Sequence, residues 1–170
     1  DKTGTITNGE PVVTDMVPAE GVAEESLLAL AASLEKRSEH PLAKAILKYA
    51  GEQQMTVEDV SEFEALPGNG LTAVRKGVKL AGGNYAFIRT QTEVSENLLK
   101  QSEALAEQGK TPMFFAENGR LAGIIAVADT MKEDSRQAVS ELRNMGIRVV
   151  MLTGDNERTA RAIGAQAGVD

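Results

Sequence analysis

Asp1-Lys2-Thr3-Gly4-Thr5 places an ionisable carboxylate directly ahead of a Thr-Gly turn. An Asp at a strand end, followed by residues whose backbone amides can hold a phosphate, can accept a phosphoryl group to give an aspartyl phosphate. With a reference pKa of about 3.9 the carboxylate needs no base to attack; it needs charge cancellation. A Mg²⁺ bridging Asp1 and the phosphate, together with the amides of the turn, would supply it. A bare Asp-x-Thr-Gly string reads as an ordinary turn, and it is the complete pentapeptide that favours the acceptor.

Leu152-Thr153-Gly154-Asp155-Asn156 follows the apolar run Ile147–Leu152. A Thr at the carboxyl end of a parallel strand lies where open α/β sheets bind ligands, so Thr153 and Asp1 are expected to face one phosphate from adjacent strands. Lys2, Gly154 and Asp155 fall in the same phosphate loops. The alternative is a plain loop in which Asn or Asp caps the next helix. His40, the lone histidine, sits between Glu39 and Pro41 and can stack on a purine or simply cap a helix. Glu35 can accept from an adenine amino group or be a solvated helix residue. Gly68-Asn69-Gly70 and Gly82-Gly83-Asn84 allow close backbone approach to a ligand or merely make turns.

These residues need elements to hold them. Leu27, Leu28, Leu30, Ala31 and Leu34 have helical spacing over 24–36, and Pro41 opens a second helix running to about Ala50. Short runs at 62–66, 71–75 and 78–81, separated by turn residues, predict an antiparallel meander. A helix over 94–108 closes at Gly109, and 113–116 with 121–128 form a hairpin around Glu117-Asn118-Gly119. The final third predicts a helix over 133–143, a buried parallel strand at Ile147–Leu152 and a helix over 157–167. The expected fold class is therefore α/β: a Rossmann-type α/β domain formed by 1–7 and 126–170, with an α+β domain of antiparallel sheet plus helices, 8–125, inserted into it.

The 170 residues are long enough to bury a core, and 42% hydrophobic with 25% charged residues is a globular composition. A net charge of −7 argues against a nucleic-acid partner, because phosphate-backbone affinity needs clustered Lys and Arg. The absence of Cys excludes disulfides and thiolate metal sites, and a single His excludes a multi-His centre. No window reaches the ~18 apolar residues of a membrane span. Because no Met and no apolar strand precede Asp1, the chain is expected to be a piece of a longer protein.

Together the motifs resemble the cytoplasmic ATP-handling head of P-type ATPases, in particular the heavy-metal-transporting branch. Asp1-Lys2-Thr3-Gly4-Thr5 is similar to the phosphorylation motif, Ser38-Glu39-His40-Pro41-Leu42 to the His-Pro motif of that branch, and Thr153-Gly154-Asp155 to the phosphorylation-domain loop. The likeness covers essentially the whole chain and implies that 1–7 with 126–170 are an incomplete, haloacid dehalogenase-like (Rossmann-type) phosphorylation domain and 8–125 the inserted α+β nucleotide-binding domain. It implies ATP and Mg²⁺ as ligands, adenosine contacts from Glu35, His40, Gly68, Gly70 and Gly83, and a Mg²⁺ site shared by Asp1 and the carbonyl of Thr3. The overall likeness, including the Glu35-Lys36-x-Ser-Glu-His-Pro run, implies copper, as Cu⁺, as the transported metal, although zinc and cadmium relatives share the same head. It further implies an integral membrane parent in a bacterial plasma membrane, with membrane and actuator domains as partners of this cytoplasmic part.

The resemblance also implies membership of the haloacid dehalogenase-like phosphotransferases, in which the second residue after the nucleophile is often an Asp that acts as general acid and base. Here it is Thr3, whose hydroxyl serves poorly in that role, so the phosphoenzyme is expected to persist. The family's Gly-Asp-Gly-x-Asn-Asp segment and phosphate-neutralising Lys are not in this sequence. The chain is accordingly expected to bind nucleotide and to autophosphorylate poorly or not at all. Two other readings stay open: a soluble haloacid dehalogenase-like phosphatase of a small metabolite, and a non-catalytic adenine-nucleotide sensor.

Overall fold

A computed structural model describes residues 1–66 and 70–170. Its strands are β1 (Thr7–Pro18), β2 (Ser61–Leu66), β3 (Gly70–Arg75), β4 (Val78–Gly83), β5 (Thr111–Glu117) and β6 (Arg120–Met131). Its helices are α1 (Glu24–Glu35), α2 (Pro41–Glu52), α3 (Tyr85–Ile88), α4 (Glu96–Glu107), α5 (Ser135–Asn144) and α6 (Glu157–Ala167). The strands form one sheet in the order β1-β6-β5-β4-β3-β2, and every neighbouring pair is antiparallel.

Strand periodicity explains the layering. Phe115, Ile125 and Val127 face α1 and α2 and join Leu27, Leu30, Leu34 and Ile46 in one core. Phe114, Ile124 and Ala126 face the opposite way and pack with Ile88, Leu98 and Leu105 of α3 and α4. The side chains alternate faces residue by residue, so β5 and β6 are covered on both sides. A third, smaller cluster joins Ile6 to Ile163 and Ala167 of α6.

The meander, the hairpin and the helices expected from the sequence are present. Asn118 (φ 51°) and Gly119 (φ 74°) give the β5–β6 turn the left-handed pair that a two-residue hairpin needs. Strand β1 was not expected. Pro11 and Pro18 argue against a strand in sequence, but β1 lies at the sheet edge, where a missing N–H costs no ladder bond.

The expectation of a buried parallel strand at Ile147–Leu152 is not met. This segment forms no regular element and joins no strand among the described residues, and Ile147, Val150 and Leu152 are 46%, 57% and 71% exposed. A parallel strand requires a neighbour to take its N–H and C=O groups. Here Val149 is instead bonded to Asp170: its N–H donates to Oδ2 (2.8 Å) and its carbonyl accepts from the Asp170 N–H (2.8 Å). Thr153 consequently lies in a loop rather than at a strand end, and Asp1 precedes β1 by a turn.

Candidate functional site

One end of the sheet gathers a cleft of about 320 Å³. There α1 and β2 end, α2 and β3 begin, β4 ends and β5 begins, and Glu35, Ser38, His40, Gly70, Gly83 and Asn84 contribute to its wall. Leu42, Leu71 and Met113 add apolar surface, the mixture expected of a small-molecule site. Four sequence-predicted residues, Glu35, His40, Gly70 and Gly83, thus converge; Gly68 lies outside the described residues. A second, more open hollow of about 510 Å³ between α4 and α6 contains none of the motif residues. Its Arg158 and Arg161 are already paired with Glu107 and Glu157, so it offers little uncompensated charge to a ligand.

Glu35 is the most unusual group in the cleft wall. It ends α1 at only 2% exposure, which rules out the solvated alternative. Burial pushes its carboxyl up to about 7. Among the described residues its carboxyl has no hydrogen-bond partner.

His40 does what the plainer reading said and still lines the cleft. Its Nδ1 accepts the N–H of Leu42 (3.1 Å), capping α2 ahead of Pro41. That bond leaves the proton of the neutral ring on Nε2 and holds the imidazole edge-on to the helix start. Asn84 caps α3 by accepting the N–H of Phe87 (2.8 Å), and it is a cleft residue that the sequence analysis passed over as part of a glycine turn.

The glycines serve packing as well as access. A Cβ on Gly70 would stand 2.3 Å from the Gly82 carbonyl oxygen and 2.7 Å from the Phe87 ring. One on Gly82 would stand 2.8 Å from both Leu34 and Phe115. The cleft floor is therefore backbone laid directly on the core, with Gly70 paired to Gly83 and Leu71 to Gly82.

The second group of motif residues lies beyond the far end of β1. Asp1 is exposed, and its Oδ2 accepts the Thr5 hydroxyl (2.8 Å). The Lys2 carbonyl accepts the N–H groups of Thr5 (3.2 Å), Ile6 (2.9 Å) and Thr7 (3.1 Å), with Gly4 at φ +76° closing the turn. Lys2 itself is buried, and its Nζ pairs with the Asp155 carboxylate. The Asp155 N–H donates to Thr153 Oγ1 (3.1 Å), so the Thr153 hydroxyl proton is left for another acceptor. Asn156 caps α6 through the N–H of Thr159 (2.9 Å), which meets the alternative reading of this loop in part. The Asp1 and Thr153 motifs are thus brought together, by an ion pair and not by adjacent strands. Thr3 is exposed in the turn.

Asp129 went unnoticed in the sequence although it anchors this turn. Its carboxylate accepts the Thr7 hydroxyl and the Gly9 N–H (2.9 Å), while Ser135 Oγ donates to the Ile6 carbonyl (2.6 Å). The lone signal was a carboxylate at the end of an apolar run. Thr7 pairs with Met131 and the cleft residue Thr111 with Val127, so these two registers are four residues apart along β6, roughly 13 Å at about 3.3 Å per residue.

For Mg²⁺ the available donors are hard oxygens, namely the exposed Asp1 carboxylate and backbone carbonyls of the turn. Among the described residues no group of three His, Cys, Asp or Glu could hold a metal by itself. This suits an ion that binds through one or two carboxylates and arrives with phosphates.

Comparison with known proteins places the chain. The haloacid dehalogenase-like hydrolase family matches residues 1–170. The chain is 47% identical over 173 residues to a copper-exporting P-type ATPase of Staphylococcus saprophyticus, covering 100% of this chain and 21% of that protein. It is 44% identical over 170 residues to a copper-transporting P-type ATPase of Rhizobium leguminosarum, again covering all of this chain and 20% of the relative. The chain therefore spans about a fifth of the length of the curated relatives it matches. Among solved structures, a zinc-transporting PIB-type ATPase in the E2.Pi state aligns with TM-score 0.86 and 35% identity over 100% of this chain and 27% of its own. The N-domain of a copper-transporting P-type ATPase aligns with TM-score 0.58 and 28% identity over 69% of this chain and 98% of its own. The expected fold class agrees with this assignment: the chain belongs to the haloacid dehalogenase-like hydrolase family, within which it resembles part of the heavy-metal P-type ATPases along its entire length.

Proposed function

We propose that the chain is the ATP-binding and phosphoryl-accepting part of a P-type ATPase that translocates a heavy metal, with Cu⁺ as the transported ion. Residues 8–125 form the nucleotide-binding domain, and 1–7 with 126–170 form part of the phosphorylation domain. The observation that carries the reading is the gathering of Glu35, His40, Gly70 and Gly83 around one cleft at the end of the sheet. Adenine lies against the His40 ring and Glu35, with the glycine backbone beneath it, and the triphosphate runs toward Asp1. Gly68 belongs to the same contact set.

In the transfer step an Asp1 carboxylate oxygen attacks the γ-phosphorus and the bond to the β-phosphate bridging oxygen breaks, releasing ADP. The Thr153 hydroxyl donates to a phosphate oxygen, and Gly154 leaves its backbone open to the ligand. Lys2 and Asp155 neutralise each other and hold the two loops in register. Asp1 and the Thr3 carbonyl would hold Mg²⁺, which when bound offsets phosphate charge. Because so few metal donors converge here, the chain binds nucleotide with little turnover of its own. Thr3 in place of an acid keeps water from being activated at the phosphoenzyme. The protein as a whole would sit in a bacterial plasma membrane with this part on the cytoplasmic side, joined to membrane and actuator domains.

Titration with ATP while following the His40 ring resonances tests this. A saturable shift that His40→Ala abolishes is the expected result. Turnover of p-nitrophenyl phosphate with no nucleotide-dependent shift would transfer the assignment to a small-molecule phosphatase.

A further inference from the structure

Glu35 presents a chemical problem that adenine binding alone does not resolve. Its side chain is 2% exposed, faces the cleft and has no hydrogen-bond partner among the described residues. An ionised carboxylate so placed would have little water and, among the described residues, no counter-charge to stabilise it.

Among the described residues the surroundings supply no cation. The elements packed on α1 are α2, β1, β3, β4 and β5. From α2, Lys44 and Lys48 are exposed to solvent, as is Glu52. On the strands, Arg75 is engaged by Glu117 and Asp15 by Lys110, while Lys79 and Glu10 are exposed. On its own side of the chain, Lys36 pairs with Asp59 and Arg37 and Glu39 lie in the connecting loop. Among the described residues His40 is the one other titratable group in the cleft wall, and its Nδ1 is occupied by the Leu42 N–H. Burial is accordingly the sole cause acting on the Glu35 carboxyl, and it favours the neutral form.

The two protonation states offer opposite patterns to a base. A carboxylate has acceptors only, whereas a carboxylic acid has one O–H donor beside one acceptor. The Watson–Crick edge of adenine carries an acceptor at N1 beside the N6 amino donor. We propose that Glu35 reads adenine as a neutral carboxylic acid, its O–H donating to N1 and its carbonyl oxygen accepting from the N6 amino group. This rests on the nucleotide reading of the cleft and adds the protonation state of the recognising group. Nucleotide binding then requires the protonated form, and ionisation of Glu35 sets its carboxylate against the N1 lone pair. The ionised form suits guanine instead, whose N1–H and N2 amino group both donate.

Glutamine imitates the neutral acid, with an NH₂ donor beside a C=O acceptor, and cannot ionise. Calorimetric titration of the full chain and of Glu35→Gln with ATP and with GTP, at about pH 6 and about pH 8.5, tests the proposal. With Glu35 titrating near 7, wild-type affinity for ATP falls roughly thirtyfold across that range relative to Glu35→Gln, whose affinity matches wild type at the lower pH. Ionisation of the nucleotide phosphates is common to both proteins and cancels in the ratio. The wild-type preference for ATP over GTP falls with rising pH, and that of Glu35→Gln does not. A wild-type to Gln ratio that is independent of pH, or a Glu35→Gln protein that binds ATP weakly at both pH values while retaining native circular dichroism, overturns the proposal and leaves the nucleotide site standing. Absence of ATP binding to wild type at either pH overturns both.

Discussion

The buried Nζ of Lys2 is paired with the carboxylate of Asp155, a residue 153 positions further along the chain. The pair fastens the first turn to the loop before α6, supported by the contact of Ile6 with Ile163 and Ala167. Lys2→Met keeps the apolar stem and removes the charge. The Asp155 side chain is about a third exposed and can be rehydrated, so the expected loss is modest, about 1–2 kcal/mol. Thermal melting should show it, and hydrogen exchange should increase at 153–156 and in the first turn while the sheet amides stay protected.

His40 has two separable roles, cap and ring. His40→Ala removes the side-chain acceptor for the Leu42 N–H and should cost about 1 kcal/mol. His40→Asn restores an N-cap acceptor without the imidazole. Melting temperature should recover in the Asn variant while ATP affinity stays as low as in the Ala variant; recovery of both would mean that the ring contributes only as a cap.

Glu35 makes the fold itself pH-dependent. Its folded-state pKa of about 7 lies above the ordinary 4.5, so the folded protein holds a proton that the unfolded chain has released. Stability from this group is complete below about pH 4.5 and is lost as pH rises through 7, by up to about 3 kcal/mol. Glu35→Gln should therefore be stabilising at pH values above about 7 and close to neutral near pH 4 in urea melts.

The glycine floor predicts a coupling within the core that holds Leu34 and Phe115. Gly82→Ala forces a methyl against Leu34 and Phe115 and should cost about 1–3 kcal/mol. Leu34→Ala alone should cost about 2–5 kcal/mol, since Leu34 is fully buried. In the double variant the new methyl occupies space vacated by leucine. The combined loss measured by denaturant unfolding should fall short of the sum by about 1 kcal/mol or more.

The segment before Thr153 gives the opposite expectation. Ile147 and Leu152 are 46% and 71% exposed, so Ile147→Ser and Leu152→Ser should each change stability by less than about 0.5 kcal/mol. A loss of several kcal/mol in chemical denaturation would show that this run is packed in solution.

Local chemistry made much of this arrangement legible in sequence. Pro41 after His40, Asn118-Gly119 and Gly109 each name a helix start, a hairpin turn and a helix end by backbone constraint, and all are found there. The cleft was legible in its members but not in its reasons: the depth of Glu35 and the contact of Gly82 with Leu34 depend on how α1 lies across the sheet. Ile147–Leu152 was misread because an apolar run records only a tendency to be buried, whereas strand formation depends on a neighbouring strand. Asp129 was invisible because its partners Thr7 and Gly9 lie 120 or more positions away.

Strand β6 pairs through Val127 with the cleft residue Thr111 and through its last residue, Met131, with Thr7. On the proposed function it would act as a ruler between the base-binding end and the phosphoryl acceptor. Because successive side chains alternate faces, that ruler can be lengthened or shortened only in two-residue steps, about 7 Å, without turning the core residues Ile125 and Val127 outward. The register shifts in β1, between Thr7 and Pro11 and between Val13 and Asp15, offer finer adjustment. Gauge length, more than the identity of any one contact residue, would then decide which nucleotides can reach Asp1.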